Sequence, residues 1–166
     1  MIPYGRQTIE QDDIDAVTEV LRSGYLTTGP AVEAFETDLA KATGAADAVA
    51  CANGTAALHL AAMALDLGPD DVVIVPAQTF LATANAVRFT GAKVVFSDVD
   101  ADNGLMTARH LTDAIAHAQA QGRPRALFVV HLNGQPAPMH ELAPIARQAG
   151  LAIVEDSCHA IGGTLP

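Results

Sequence analysis

Apolar residues fall into two alternating patterns along the chain. Short unbroken runs occur at Ala48–Cys51, Val72–Val75, Val94–Phe96, Ala126–Val130 and Leu151–Val154. None alternates with polar residues, so each suits a strand covered on both faces, as in a parallel sheet. The segments around and between them carry helical spacing. Thr8 and Gln11 read as a Thr-x-x-Gln capping box opening a helix with Ile14, Val17, Val20 and Leu21 on one face, closed near Gly24. Pro30 suits the first turn of a second helix, with Val32, Phe35 and Leu39 facing inward. Residues 55–65 are apolar nearly all round, which predicts a buried helix. Phe80, Ala84 and Val87 mark another. Leu111, Ala114, Ile115 and Ala118 mark the next, capped by Thr107. Met139, Leu142 and Ile145 mark the last, ended by Gly150.

Strand and helix thus alternate from about residue 47 onward. Such alternation builds right-handed βαβ units, so the expected fold is α/β: an open, mostly parallel sheet with helices on both faces. Residues 1–46 read as an N-terminal helical arm and residues 47–166 as the α/β domain.

Composition narrows the function. The chain has 166 residues, half of them hydrophobic, with no Trp and few aromatics. Nine basic residues face nineteen acidic ones, a formal charge of -10. Phosphate backbones and anionic membranes are bound through Lys and Arg, so neither a nucleic acid nor a membrane is an expected partner. A small phosphorylated ligand held by backbone amides stays open. No signal peptide and no charge-free run of ~18 residues occurs, and the expected location is cytoplasmic. The two cysteines, Cys51 and Cys158, lie in or beside apolar runs and read as reduced, buried thiols.

Ligands of parallel α/β sheets gather at the carboxyl ends of the strands, so the residues after each run carry the chemistry. After Cys51 comes "ANGTAALHLA": Asn53 and Gly54 turn the chain and Thr55 begins a helix, whose free N–H groups and dipole favour a phosphate. An ordinary Asn-Gly turn explains the same residues equally well. Neither a Gly-x-Gly-x-x-Gly fingerprint nor a P-loop is present. After Val75, "PAQTF" brings Phe80, a ring that either stacks on a flat ligand or packs in the core. After Val130, His131 fits best as a satisfied core histidine. After Val154 come Glu155, Asp156, Cys158 and His159. Asp156 can hold a protonated ring nitrogen or serve as a cap or ion pair. The cysteines and histidines show no metal-ligand spacing, and nothing in the sequence pairs Cys158 with a base. Taken jointly, a phosphate cradle (Gly54, Thr55), an aromatic plate (Phe80) and an anion (Asp156) match the three handles of pyridoxal phosphate. A carboxylate on its ring nitrogen keeps the pyridinium charged, and hence an electron sink.

Six segments, "IPYGRQTI", "LRSGYLTTGPAVEAFE", "NGTAALHLA", "PAQTFLATANAV", "FSDVD" and "VEDSCHAIGG", span nearly the whole chain in a familiar order. With them the chain resembles the amino-terminal part of DegT-type nucleotide-sugar aminotransferases, pyridoxal-phosphate enzymes of fold type I. "IPYGRQ" and "EDSCHAIGG" are most similar to the subgroup that aminates UDP-4-keto-6-deoxy-N-acetylhexosamines, the UDP-4-amino-4,6-dideoxy-N-acetyl-L-altrosamine transaminases of nonulosonic acid biosynthesis. The resemblance implies that residues 47–166 are part of the cofactor-binding large domain. It implies that Gly54 and Thr55 hold the cofactor phosphate, Phe80 stacks on the ring, Asp156 pairs with its nitrogen and His159 lies beside it. Tyr4, Tyr25, Leu26, Thr27 and Thr28, with Asn53 nearby, would hold the nucleotide sugar. A homodimer with a shared active site and an amino-acid donor, glutamate, are implied as well.

The resemblance also implies a Schiff-base lysine some two dozen residues beyond Asp156, past the last residue here. Only Lys41 and Lys93 occur in this sequence. Lys93 begins its strand, on the order of 10 Å from the carboxyl rim at normal strand rise. Lys41 suits a solvated cation at a helix carboxyl terminus. Two expectations follow. Either the sequence is the N-terminal part of a longer aminotransferase, with the small domain lying outside it, or it is a non-catalytic α/β module for phosphate, nucleotide or oligomerisation. The first is preferred.

Overall fold

A computed structural model describes residues 7–163. The chain forms two compact units, Met1–Ala50 and Cys51–Pro166.

The first unit holds helices α1 (Gln11–Arg22) and α2 (Pro30–Thr43). The capping box that opens α1 is not Thr8 with Gln11. Glu10 is the N-cap, and its backbone N–H donates to Asp13 Oδ2 at 2.9 Å while its own side chain accepts from the Asp13 backbone. Carboxylates at both ends of the box also complement the positive end of the helix, which a Thr–Gln pair cannot do. Pro30 stands in the first turn of α2 as expected, and Gly44 ends that helix at φ 72.

The run Ala48–Cys51 is not a strand. No strand pairs with it among the described residues, Val49 is 81% exposed, and the Ala50 N–H donates to Glu36 Oε1 at 2.7 Å instead. An apolar run becomes a strand only when a ladder partner takes its backbone groups.

The second unit is a parallel sheet clothed by helices. Its strands are β1 (Asp71–Pro76), β2 (Lys93–Ser97), β3 (Arg123–Val130) and β4 (Ala152–Asp156), in the spatial order β2-β1-β3-β4. All three pairings are parallel. The strand period of two splits the side chains between two cores. Val72, Ile74, Leu127 and Val129 point to one face, where α5 (Ala108–Gln121) and α6 (Met139–Gln148) supply Leu111, Ala114, Ala118, Leu142 and Ala146. Val73, Val75, Ala126 and Phe128 point to the other, where α3 (Gly54–Ala64) and α4 (Leu81–Phe89) supply Leu58, Ala62, Ala84 and Val87. Helix α3 is less buried than its composition predicts. Only Leu58 and Ala62 are fully covered, whereas Leu60 and Met63 are exposed. The ring of His59 meets Phe89 of α4 edge-on at 5.3 Å.

Strand β3 begins three residues before the apolar run that announced it. Pro124 lies where the ladder with β1 slips, Val72 pairing with Pro124 but Val73 with Ala126. A bulge tolerates a residue that has no N–H to give. The charged neighbours of Pro124 fasten this amino edge: Asp71, almost fully buried, accepts from Arg123 Nε at 2.8 Å and from the Gly68 N–H at 3.0 Å.

Chain direction across the sheet reverses beside β1. From β1 the chain leaves through α4 toward β2; from β3 it leaves through α6 toward β4 on the other side. Right-handed crossovers that advance in opposite directions must place their helices on opposite faces, as α4 and α6 are placed here. The loops after β1 and β3 therefore leave the carboxyl rim in opposite directions, the arrangement at which such sheets usually bind a ligand.

Candidate functional site

The rim is built from four loops. Asp156, the last residue of β4, is only 7% exposed. Its Oδ2 accepts from Thr83 Oγ1 at 2.8 Å, and its Oδ1 accepts from the Cys158 N–H at 3.2 Å. Thr83 sits in the first turn of α4 and is itself fully buried; its Oγ1 is 2.8 Å from Thr79 Oγ1 in the loop after β1. Phe80 follows directly, as the extended N-cap of α4, with its ring 68% exposed. The ring is thus not a core residue, which removes the plain packing explanation for it.

Helix α3 enters the same rim from its own start. Asn53 is its N-cap, accepting the Ala56 N–H at 2.9 Å, so the helix begins at Gly54 rather than Thr55. A Cβ on Gly54 would lie 2.6 Å from Cys158 Sγ, so the helix start and the turn after β4 touch. The first N–H groups of a helix lack intrahelical partners and face any anion placed there. Gly54 and Asp156 therefore meet through Cys158, and Asp156 and the Phe80 loop meet through Thr83 and Thr79.

Cys158 shows what the arrangement does to a thiol. The hydrogen bond to Asp156, partial burial and the nearby carboxylate charge push it from 9.0 up to about 11. A thiol so placed stays protonated near neutrality, the opposite of an activated nucleophile.

His131, at the end of β3, is buried and satisfied on both nitrogens. Nδ1 accepts the Ala137 N–H at 2.9 Å, which leaves the proton on Nε2, 3.0 Å from Glu155 Oε2. His159 in the turn after β4 takes the Asn133 N–H on Nδ1 at 3.4 Å, tying the turns after β3 and β4 together. Among the described residues no group of three or more His, Cys, Asp or Glu is arranged to hold a metal.

The remaining candidates belong to other elements. Tyr25, Leu26, Thr27 and Thr28 belong to the first unit, in the exposed turn between α1 and α2. The turn is strained: Thr28 has φ 40, a region that β-branched residues avoid. A Cβ on the following Gly29 would lie 2.9 Å from Tyr25 Cβ. Tyr4 lies outside the described residues. Lys93 lies at the amino edge of the sheet, where Nζ donates to the Gln121 carbonyl at 3.0 Å, and Lys41 in the last turn of α2.

The sequence reading missed Thr83 and Thr79. Their signal was a pair of threonines four apart, across the start of the helix that follows β1.

A model of the DegT/DnrJ/EryC1/StrS aminotransferase family matches residues 7–166. The chain belongs to this family. Solved structures of family members and relatives superpose on it. DesV from S. venezuelae is 39% identical with a TM-score of 0.83, the match covering 90% of this chain and 39% of that one. A DegT/DnrJ/EryC1/StrS aminotransferase from Brucella abortus is 38% identical with a TM-score of 0.85, covering 89% and 40%. A putative sugar aminotransferase from Streptococcus pneumoniae, in its PMP form, is 31% identical with a TM-score of 0.87, covering 97% and 43%; the same protein is also known in a PLP form. The chain thus spans about two fifths of the length of these family structures, and its parallel sheet with helices on both faces is that of the fold type I aminotransferases.

Proposed function

We propose that the protein carrying this sequence is a pyridoxal-phosphate aminotransferase that moves an amino group, with glutamate as donor, onto a 4-keto-6-deoxy nucleotide sugar. The carrying observation is Asp156: a buried carboxylate at a strand end, gripped at both oxygens, two residues from the thiol that touches the start of α3. An acid so held suits a cationic ring nitrogen, and the bare Gly54 backbone at the helix start suits a phosphate. The donor set therefore fits pyridoxal phosphate.

In this reading Gly54 and Thr55 hold the phosphate, Asp156 the ring nitrogen, and exposed Phe80 covers a ring face, with His159 beside it. When bound, the cofactor supplies an electron sink for the carbon that gains or loses the amine. The protein's part is to bind and orient it. Tyr4, Tyr25 through Thr28 and Asn53 contact the nucleotide sugar. The lysine that exchanges protons at the reacting carbon comes from outside this sequence. A homodimer in the cytoplasm, with the product entering polysaccharide or nonulosonic acid synthesis, completes the proposal, and "IPYGRQ" and "EDSCHAIGG" favour the N-acetyl-altrosamine subgroup. The family match disfavours a non-catalytic module.

The test uses the full-length protein with glutamate and a UDP-4-keto-6-deoxy-N-acetylhexosamine. Mass spectrometry of the sugar should show amine transfer, and Asp156→Ala should remove it while the circular dichroism spectrum stays unchanged. Unaltered turnover in Asp156→Ala would exclude the role given to that acid.

A further inference from the structure

Asp156 has an unusual amount of protein behind it. An aspartate carboxylate turns freely about its last bond unless both oxygens are held. Here Thr83 Oγ1 takes Oδ2 from the α4 side, and the Cys158 N–H takes Oδ1 from the turn after β4. The two anchors fix the plane of the group. The Cys158 anchor is part of the aspartate's own turn, whereas Thr83 lies 73 residues away in sequence and is fully buried. An ionised carboxylate can only accept, so the single proton of Thr83 is committed to Oδ2. The 2.8 Å contact between Thr83 and Thr79 then requires Thr79 to donate. Thr79 has a competing acceptor, the Phe80 carbonyl at 3.3 Å, which is the longer of the two contacts. The chain of hydroxyls thus runs one way, from the loop after β1 to the acid.

Other threonines in the chain show that this is not the default. Thr37, Thr43 and Thr112 each donate to the backbone carbonyl four residues before them in their own helix. That is the ordinary fate of a helical threonine hydroxyl. In the first turn of α4 the residue four before Thr83 is Thr79 in the preceding loop, and its side chain, not its carbonyl, is the partner.

We propose that Thr83 is a positioning residue of the site, which clamps Asp156 so that its carboxylate presents one fixed face to the ring nitrogen of the cofactor, with Thr79 orienting the clamp. This rests on the cofactor reading given above. It adds that the strength of the acid–pyridinium contact is set from α4, and not by Asp156 alone.

The experiment reads cofactor binding, not turnover. Pyridoxamine 5'-phosphate is the probe, because it makes no covalent bond to a lysine and so reports the non-covalent grip. Its Kd for the full-length apoprotein is measured by equilibrium dialysis, and its bound ultraviolet band is recorded, since that band differs between the protonated and the neutral ring. Thr83→Val keeps the shape and removes the hydroxyl. It should weaken binding roughly tenfold, the usual loss for one hydrogen bond to a charged group, and move the band toward the neutral ring. Thr83→Ser should restore both to within about twofold, and Thr79→Ala should give a smaller loss in the same direction. Wild-type Kd and an unmoved band in Thr83→Val overturn the clamp, even if that variant melts earlier. So does a Thr83→Ser protein that loses as much as the valine variant, since a retained hydroxyl would then not restore the grip on Asp156. If Thr83→Val does not fold, an unchanged Kd and band in Thr79→Ala overturn it. Failure of the wild-type apoprotein to take up the probe would strike at the cofactor reading instead.

Discussion

Gly54 and Cys158 approach so closely that a Cβ on the glycine would lie 2.6 Å from Cys158 Sγ. Alanine normally favours a helix over glycine by about 1 kcal/mol. At this position the added methyl must push the thiol off its Asp156 partner, and overpacking of that kind costs about 1–3 kcal/mol. Gly54→Ala should therefore be destabilised by urea melts, and Cys158→Ala on top of it should recover most of the loss. A Gly54→Ala protein as stable as the parent, with no gain from the second change, would mean the two residues are not in contact.

The same thiol carries a pH signature. In a Cys51→Ser background, alkylation of Cys158 should follow a midpoint of about 11 rather than 9.0. Asp156→Asn, which removes the charge, should bring the midpoint down toward 9.0. The folded value lies above the unfolded one. The stabilisation linked to it is therefore complete below pH 9.0 and is lost as pH rises toward about 11. A wild-type midpoint at the ordinary cysteine value would contradict the hydrogen bond to Asp156.

Phe80 offers a separation of stability from binding. Because the ring is mostly exposed, Phe80→Ala should change stability by no more than about 0.5 kcal/mol. If the ring covers the cofactor, loss of an aromatic stack of about 0.5–1.5 kcal/mol should weaken pyridoxamine phosphate by roughly 2- to 13-fold. A large drop in stability with unchanged binding would make Phe80 a packing residue after all.

Asp71 governs the response to acid. Burial works against its charge, but the hydrogen bonds from Arg123 and Gly68 and the two nearby guanidiniums prevail and hold it below its usual value of 3.8. Its stabilisation is present above that value and disappears as pH falls through the lower folded one. Asp71→Asn should cost about 1–3 kcal/mol near neutrality, and the gap between mutant and wild-type urea midpoints should close in strong acid. A gap that stays constant into strong acid would remove Asp71 from this role.

How far the sequence could be read depended on the range of the interaction concerned. Helices α4 to α6 and the cores of all four strands follow from local periodicity, and the Thr107 cap and the Gly150 stop were equally local. The opening of β3 was hidden because Arg123 and Arg125 are charged, and their partner Asp71 lies some fifty residues earlier. The run Ala48–Cys51 misled because being apolar does not supply a ladder partner. Two capping boxes, Thr8 with Gln11 and Glu10 with Asp13, compete within a few residues, and only the charge of the second pair at the positive helix end separates them. Phe80 and Asp156 are legible from chain position alone, since loops after parallel strands share one rim; Gly54 follows a run that forms no strand and reaches the rim through the start of α3 beside Cys158 instead. Thr83 was not, because its bond to Asp156 is specified only once α4 has packed on the sheet.

The fastening of Asp71 to Arg123 lies at the amino ends of β1 and β3, a full strand length from the loops that carry Gly54, Phe80 and Asp156. What keeps the domain folded and what would choose its ligand are thus entrusted to opposite ends of the same four strands. Such a division lets the carboxyl loops change, by drift or by an engineer, while the fastening at the amino edge of the sheet stays as it is.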